Sequence, residues 1–240
     1  MWHSTAMSLT EYTVDTPEAF VADATAFIAD IVREAIQKDG RCILGLSGGS
    51  TPGPVYTALG QEKGIDWSKV WIFLVDDRCV PADNPKSNQF LLRSTLLKYA
   101  PIPESQIIVP DMSLGPDEAA TKYGQEVIAI TRAGMPAPRV HLLVLGLGED
   151  GHIASLFPPV SENAFSMTGA IHTTTNTFDI PDRISVTLPV LTSAKQALFL
   201  LKGEKKIAVW EEMVESGEDE KRWPAKGVIE KVETTVIALT

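Results

Sequence analysis

Apolar residues recur along this chain at two periods that take turns. From Thr16 onward, Phe20, Ala24, Phe27, Ile28, Ile31, Val32, Ala35 and Ile36 return every three or four positions, the spacing of one helix face. Thr16-Pro17-Glu18 supplies a capping hydroxyl, a proline at the first helical position and an acid in the first turn, and Gly40 supplies the stop. Short apolar runs follow at 42–46, 70–75, 140–145 (with His141 inside it) and 197–201. Runs this short, bounded by turn residues, predict buried strands. Weaker strand signals lie at 107–109, 184–188 and 236–239. Helical signals fill the intervals at 54–59, 116–133, 189–195 and 204–215. A further helix is predicted from Ser87, with Phe90, Leu91, Leu97 and Tyr99 on its apolar side. The segment 160–180 is polar and shows neither period, and residues 1–12 read as a flexible lead-in.

Strands that alternate with helices, and are apolar on both faces, imply a mostly parallel sheet covered on both sides. The expected architecture is therefore a three-layer α/β sandwich. No Pro/Gly/Ser-rich linker interrupts the 240 residues, so one α/β domain over 1–240 is expected.

Composition leaves this picture unchanged, but charge narrows it. The net charge of −10 argues against a general nucleic-acid or anionic-membrane surface. Any anionic substrate must then be held by a local cluster of donors. Cys42 and Cys79 both lie in or beside apolar runs and read as buried thiols, not as a disulfide framework. The N-terminus has no basic start followed by an apolar stretch, and no apolar run approaches the roughly 20 residues of a membrane helix. A cytoplasmic setting is the expectation.

Candidate chemistry gathers in the loops after the predicted strands. Ser47-Gly48-Gly49-Ser50-Thr51-Pro52 joins a strand to a helix. Its glycines admit close backbone approach, its hydroxyls donate, and a helix start offers outward amides, which together suit a phosphate. The same loop contains Gly45-x-Ser47-x-Gly49, the spacing of a serine-hydrolase nucleophile elbow. No His-Gly-Gly run for an oxyanion hole precedes it. Asp76-Asp77-Arg78 closes the next strand, where an arginine suits bidentate grip of a phosphate. Gly146-x-Gly148-x-x-Gly151 matches a dinucleotide fingerprint, but Pro158 and Pro159 leave no room for the long helix which that motif needs. What the loop does offer is His152, a group that titrates near neutrality, with Asp150 and Glu149 close enough to orient it. His141, inside a strand, reads as structural. Lys202, Lys205 and Lys206 flank a helix start, against the dipole preference, which points to a compensating anion. No His/Cys spacing of a metal site is present.

Three ordered motifs together resemble the 6-phosphogluconolactonase family. They are Leu44-Gly45-Leu46-Ser47-Gly48-Gly49-Ser50-Thr51-Pro52, then Asp76-Asp77-Arg78-x-Val80-Pro81 with Ser87-Asn88, then Gly146 to Pro158 around Asp150-Gly151-His152. Arg183 to Pro189 and Gly203-Glu204-Lys205-Lys206 also resemble that family. The resemblance implies a Rossmann-like fold shared with glucosamine-6-phosphate deaminases. It implies hydrolysis of 6-phospho-D-glucono-1,5-lactone, in the oxidative branch of the pentose phosphate pathway, without a cofactor or metal. It further implies catalytic roles for His152, Asp150 and Arg78. The implied binding set is Ser47, Gly48, Gly49, Ser50, Thr51, Asp76, Arg78, Asn88, Gly148 and Lys206. The implied partner is a small sugar-phosphate lactone, with the protein a monomer or small homo-oligomer. Asp77 departs from the family's usual Asp-Glu-Arg. The deaminase motif carries a glutamate five residues after its histidine, where this chain has Phe157. A deaminase/isomerase activity and a non-catalytic sugar-phosphate-binding module remain as alternatives.

Overall fold

The computed structural model describes residues 8–132 and 139–240. Its strands are β1 (Leu9–Val14), β2 (Cys42–Leu46), β3 (Val70–Leu74), β4 (Asp76–Arg78), β5 (Ile107–Ile108), β6 (Val140–Leu145), β7 (Ala170–Thr174), β8 (Asp182–Val186), β9 (Ala194–Lys202) and β10 (Glu233–Leu239). Its helices are α1 (Pro17–Asp39), α2 (Gly53–Gly60), α3 (Asn88–Ser94), α4 (Pro116–Arg132), α5 (Leu188–Leu191), α6 (Glu204–Glu215) and α7 (Pro224–Ile229). Helix α1 begins and ends as its sequence dictates: Thr16 Oγ1 accepts from Ala19 N at 3.1 Å, and Gly40 closes it at φ 73°.

Seven strands form one sheet in the order β1-β10-β9-β6-β2-β3-β5, and every neighbouring pair is parallel. Alternation along each strand divides the core in two. Leu44, Leu46, Leu142, Val144, Leu198, Leu200 and Ile237 face α1, α2 and α3. Ile43, Phe73, Leu143, Leu145, Phe199 and Val236 face the other way, onto Tyr123 and Val127 of α4, Trp210 and Met213 of α6 and Val228 of α7. This is the expected three-layer arrangement with a parallel sheet at its centre.

A second, antiparallel sheet, β4-β8-β7, lies over the second of these cores. It corrects the sequence reading at several points. Asp76-Asp77-Arg78 is a strand of its own, paired to β8 in the register Asp76↔Ser185, Asp77↔Ile184 and Arg78↔Arg183. Strand β7 lies inside the stretch that showed no period. Strand β8 starts at Asp182, two residues before the prediction, and α5 stops at Leu191 because Ala194 and Lys195 already belong to β9. Leu9–Val14, whose first four residues were read as part of a flexible lead-in over 1–12, forms β1 along β10. Helix α7 carried no prediction. The helix from Ser87 ends at Ser94, and a 3-10 turn follows at Leu96–Lys98. Within α3 Leu92 is the buried apolar residue and Phe90 is exposed; after the break Leu96 is buried and Tyr99 exposed. Ala133, the last residue of the helix predicted over 116–133, lies outside the described residues. Cys42 is buried and Cys79 half-buried, and both are free thiols.

After β2 the chain steps to β3 and β5 on one side, then returns to place β6 on the other side of β2. Between the carboxyl ends of β2 and β6 the order reverses, and open α/β sheets form their clefts at such a reversal.

Candidate active site

A cleft of about 520 Å³ opens at that reversal. Its walls come from the segments that follow β2, β3, β6 and β9: Ser47, Gly48 and Gly49; Asp76 and Arg78 of β4 with Asn88 of α3; Gly146 to Asp150 with His152 and Ala154; and Lys206 of α6. Thr177, Phe178 and Arg183 complete it. The fold thus gathers most of the residues singled out in the sequence. Ser50 and Thr51 are not among its lining residues. Helix α2 starts only at Gly53, and residues 50–52 form a turn that leads away from the cleft wall at 47–49. Of the three lysines near the start of α6, Lys206 alone lines the cleft.

His152 Nδ1 lies 2.5 Å from Asp150 Oδ1, and the His152 amide donates to the same oxygen at 3.2 Å. Burial pushes the Asp150 carboxyl up, but the hydrogen bonds and charge of His152 outweigh it and hold it below the usual carboxylate range. An ionised Asp150 requires a proton on Nδ1, which leaves Nε2 bare as the basic nitrogen. The pair fits only because residue 148 is glycine: a Cβ there would lie 2.1 Å from His152 Nδ1 and 2.6 Å from Asp150 Oδ1. Two rings wall the imidazole, Phe157 at 4.8 Å and Phe178 at 5.4 Å between centroids. Phe157 occupies the place where a deaminase-type glutamate was the alternative.

The loop that carries His152 is tied to β4. Ala154 takes a left-handed φ of 49°, costly for a residue with a Cβ. Ser155, fully buried, then donates its hydroxyl to Asp76 Oδ2 at 2.6 Å. From the other side, Arg222 Nη1 donates to the Asp150 carbonyl at 3.0 Å, and the Trp223 ring packs against Gly151.

Opposite stand the cations. Arg78 and Arg183 are cross-strand neighbours on β4 and β8. Arg78 Nη1 donates to Asn88 Oδ1 at 2.7 Å and to the Lys86 carbonyl at 2.8 Å, while its Nε is buried without a partner. Arg183 Nε donates to the Ile180 carbonyl at 2.8 Å, and its guanidinium lies over Phe178. Burial, and then the like charge of Arg78, lower the Arg183 pKa. Burial likewise lowers that of Lys206. Among the described residues none of the three makes an ion pair. In a chain of net charge −10, three cations that line one cleft without a carboxylate partner could hold an anion there. Arg183 went unassigned from the sequence beyond its motif. Its signal was an arginine heading the apolar run Ile184 to Leu188. Phe178 had no signal in its polar surroundings.

The elbow geometry that the Gly45-x-Ser47-x-Gly49 spacing would need does not form. The strained left-handed residue in that turn is Gly49, at φ 96°, and Ser47 has an ordinary backbone. The dinucleotide spacing likewise lacks its helix, since the next regular element after β6 is the short 3-10 turn Glu162–Phe165. His141 is structural: its Nδ1 accepts from Ile43 N at 2.9 Å and its Nε2 faces Asp39 at 3.1 Å. Among the described residues no group of three or more His, Cys, Asp or Glu side chains is arranged to hold a metal ion. No helix among them is long and apolar enough to cross a membrane.

Comparison with known proteins points to one family. The model of the family described as glucosamine-6-phosphate isomerases/6-phosphogluconolactonase matches residues 15–237. A probable 6-phosphogluconolactonase of Dictyostelium discoideum is 35% identical over 221 residues, covering 91% of this chain and 93% of that protein. The 6-phosphogluconolactonase of Synechocystis is 32% identical over 87% of this chain and 86% of its own length. The crystal structure of 6-phosphogluconolactonase from Thermotoga maritima superposes with a TM-score of 0.83 at 27% identity, over 97% of this chain and 99% of that one. The chain belongs to the glucosamine-6-phosphate isomerase/6-phosphogluconolactonase family, and these relatives within it are lactonases.

Proposed function

We propose that the protein hydrolyses 6-phospho-D-glucono-1,5-lactone to 6-phospho-D-gluconate, a step of the oxidative pentose phosphate pathway, with His152 as general base. The observation that carries this reading is the Asp150–His152 pair facing three unpaired cations across one cleft. His152 Nε2 takes a proton from water as its oxygen attacks the lactone carbonyl carbon. Negative charge grows on the carbonyl oxygen, and the tetrahedral intermediate collapses with cleavage of the bond to the ring oxygen. The imidazolium returns its proton to that oxygen, and the new carboxylic acid ionises to the carboxylate. A lactone is already an activated ester, so one base and charge stabilisation suffice. Asp150 fixes the tautomer and steadies the imidazolium. The backbone at 47–49 with Lys206, Arg78 and Arg183 supplies positive charge for the phosphate and for the developing oxyanion.

The test is lactone hydrolysis above the spontaneous rate, with ammonia release from glucosamine 6-phosphate assayed in parallel. His152→Ala should lower kcat by at least about 10²-fold. Unchanged turnover in that variant removes His152 from the reaction. Ammonia release without lactone turnover replaces the reading with the deaminase one, and binding of 6-phosphogluconate without either activity replaces it with a binding module.

A further inference from the structure

Asp77 lies beside the cleft but not in it. Its side chain is fully buried, with 0% of the residue exposed. Four donors converge on its carboxylate: Oδ1 accepts from the amides of Asn88 at 2.6 Å and Arg78 at 2.7 Å. Oδ2 accepts from the Ser87 hydroxyl at 3.0 Å and the Gln89 amide at 3.2 Å. Two of these amides, Asn88 and Gln89, open α3, so the carboxylate caps that helix from a different element.

The cap has a consequence for the cleft. Asn88, the first residue of α3, spans three site elements. Its Oδ1 holds Arg78 Nη1 at 2.7 Å, and its Nδ2 donates to the Asp76 carbonyl at 2.8 Å and to Asp76 Oδ1 at 3.2 Å. Its amide also packs on the bare Cα of Gly48, where a Cβ would lie 1.8 Å from Oδ1. Arg78 therefore receives its bearing twice from one carboxylate, through its own amide and through Asn88.

We infer that Asp77 is a positioning residue, which fixes the Arg78 guanidinium in the anion-binding wall by capping α3 and thereby locking Asn88. The inference rests on the lactonase reading for its substrate and not for its geometry. Asparagine at 77 keeps one acceptor oxygen but turns an N–H₂ toward the Ser87 hydroxyl and the Gln89 amide; the hydroxyl can turn to accept, but the amide is left opposed by a donor and the cap loses its charge. Glutamate at 77 keeps the carboxylate.

The test is a double-variant cycle. Asp77→Asn and Arg78→Ala, alone and combined, are measured for kcat/KM with the lactone and for the calorimetric Kd of 6-phosphogluconate, with Tm recorded for each. Asp77→Asn should lose about ten- to a hundred-fold in both quantities, the scale of a misplaced binding group. In the Arg78→Ala background it should cost little more, because both changes remove the same interaction. Asp77→Glu should recover most of the loss. Losses that multiply fully in the double variant, or unchanged binding and turnover in Asp77→Asn, overturn the inference. If Asp77→Asn does not fold, Asn88→Ala takes its place: it keeps the Asp77 cap on the backbone, removes only the side-chain link, and must show the same non-additivity with Arg78→Ala. A wild-type protein that binds 6-phosphogluconate without turning over the lactone sinks the lactonase reading. The cycle in Kd then still decides the role of Asp77.

Discussion

Gly148→Ala isolates the Asp150–His152 pair from everything else in the cleft. Residue 148 does not adopt a left-handed backbone, so alanine introduces no φ penalty. Its Cβ would stand 2.1 Å from His152 Nδ1, against an ordinary contact of 3.4 Å or more, so the imidazole must retreat by roughly 1.3 Å. The Asp150 oxygen, at 2.6 Å from the same point, must move as well. Misplacement of a reacting group by about 1 Å costs on the order of 10²-fold, or about 2.7 kcal/mol in the barrier. The cations on the far wall are untouched. The expected outcome is a kcat for lactone hydrolysis lowered about 10²-fold, with 6-phosphogluconate affinity within a few-fold of wild type. The assay is initial-rate hydrolysis corrected for spontaneous opening, paired with calorimetry. A folded variant with wild-type kcat would show that the 2.5 Å pair is not the catalytic arrangement.

Two further outcomes follow from burial alone. Burial raises the Asp77 carboxyl to about 6 from 3.8, and the amides of Asn88 and Arg78 only partly offset this. The folded state then holds that proton more tightly than the unfolded chain. The resulting stabilisation is complete below pH 3.8 and lost as pH rises through 6. Relative to Asp77→Asn, the wild type should lose about 2 kcal/mol between pH 4 and pH 7 in urea titrations; a rising difference would mean that the four donors dominate. At Gly45, on β2, an added Cβ would lie 2.5 Å from Leu143 Cδ2 and 2.7 Å from Phe73 Cζ. Gly45→Ala should cost about 1–3 kcal/mol by overpacking, measured by chemical denaturation, and unchanged stability would show that the core yields there.

The parts of the fold legible in the sequence were those with a single strong period. Helix α1 and strands β2, β3 and β6 are each buried along a whole face or on both, so apolar spacing tracked them. Strand β1 was not legible because Leu-Thr-Glu-Tyr-Thr-Val lies at the sheet edge with almost no buried face. Strand β4 is short and charged, and it exists through pairing with β8, a tertiary cause that no local pattern reports. Extending one helical period from Ser87 across the break at Thr95 placed Tyr99 on the wrong side, and Phe90 is exposed within α3 itself. In the site, Asp150 and His152 were legible because they are neighbours in a glycine loop. Arg183 and Phe178 reach the cleft only through the second sheet. Asp77 carried charge in the sequence, but its work as a helix cap depends on a segment ten residues away.

Strand β1 also sets the order in which the sheet can be completed. Among the described residues its one neighbour in the sheet is β10, and Leu9 pairs with Thr234, 225 positions later. During synthesis β1 therefore waits unpaired until β10 has been made, and the two then dock beside β9. Removing the 233–239 stretch would strand two rows of backbone amides, not one, and leave the Trp210 side of the molecule without its partner at Glu11.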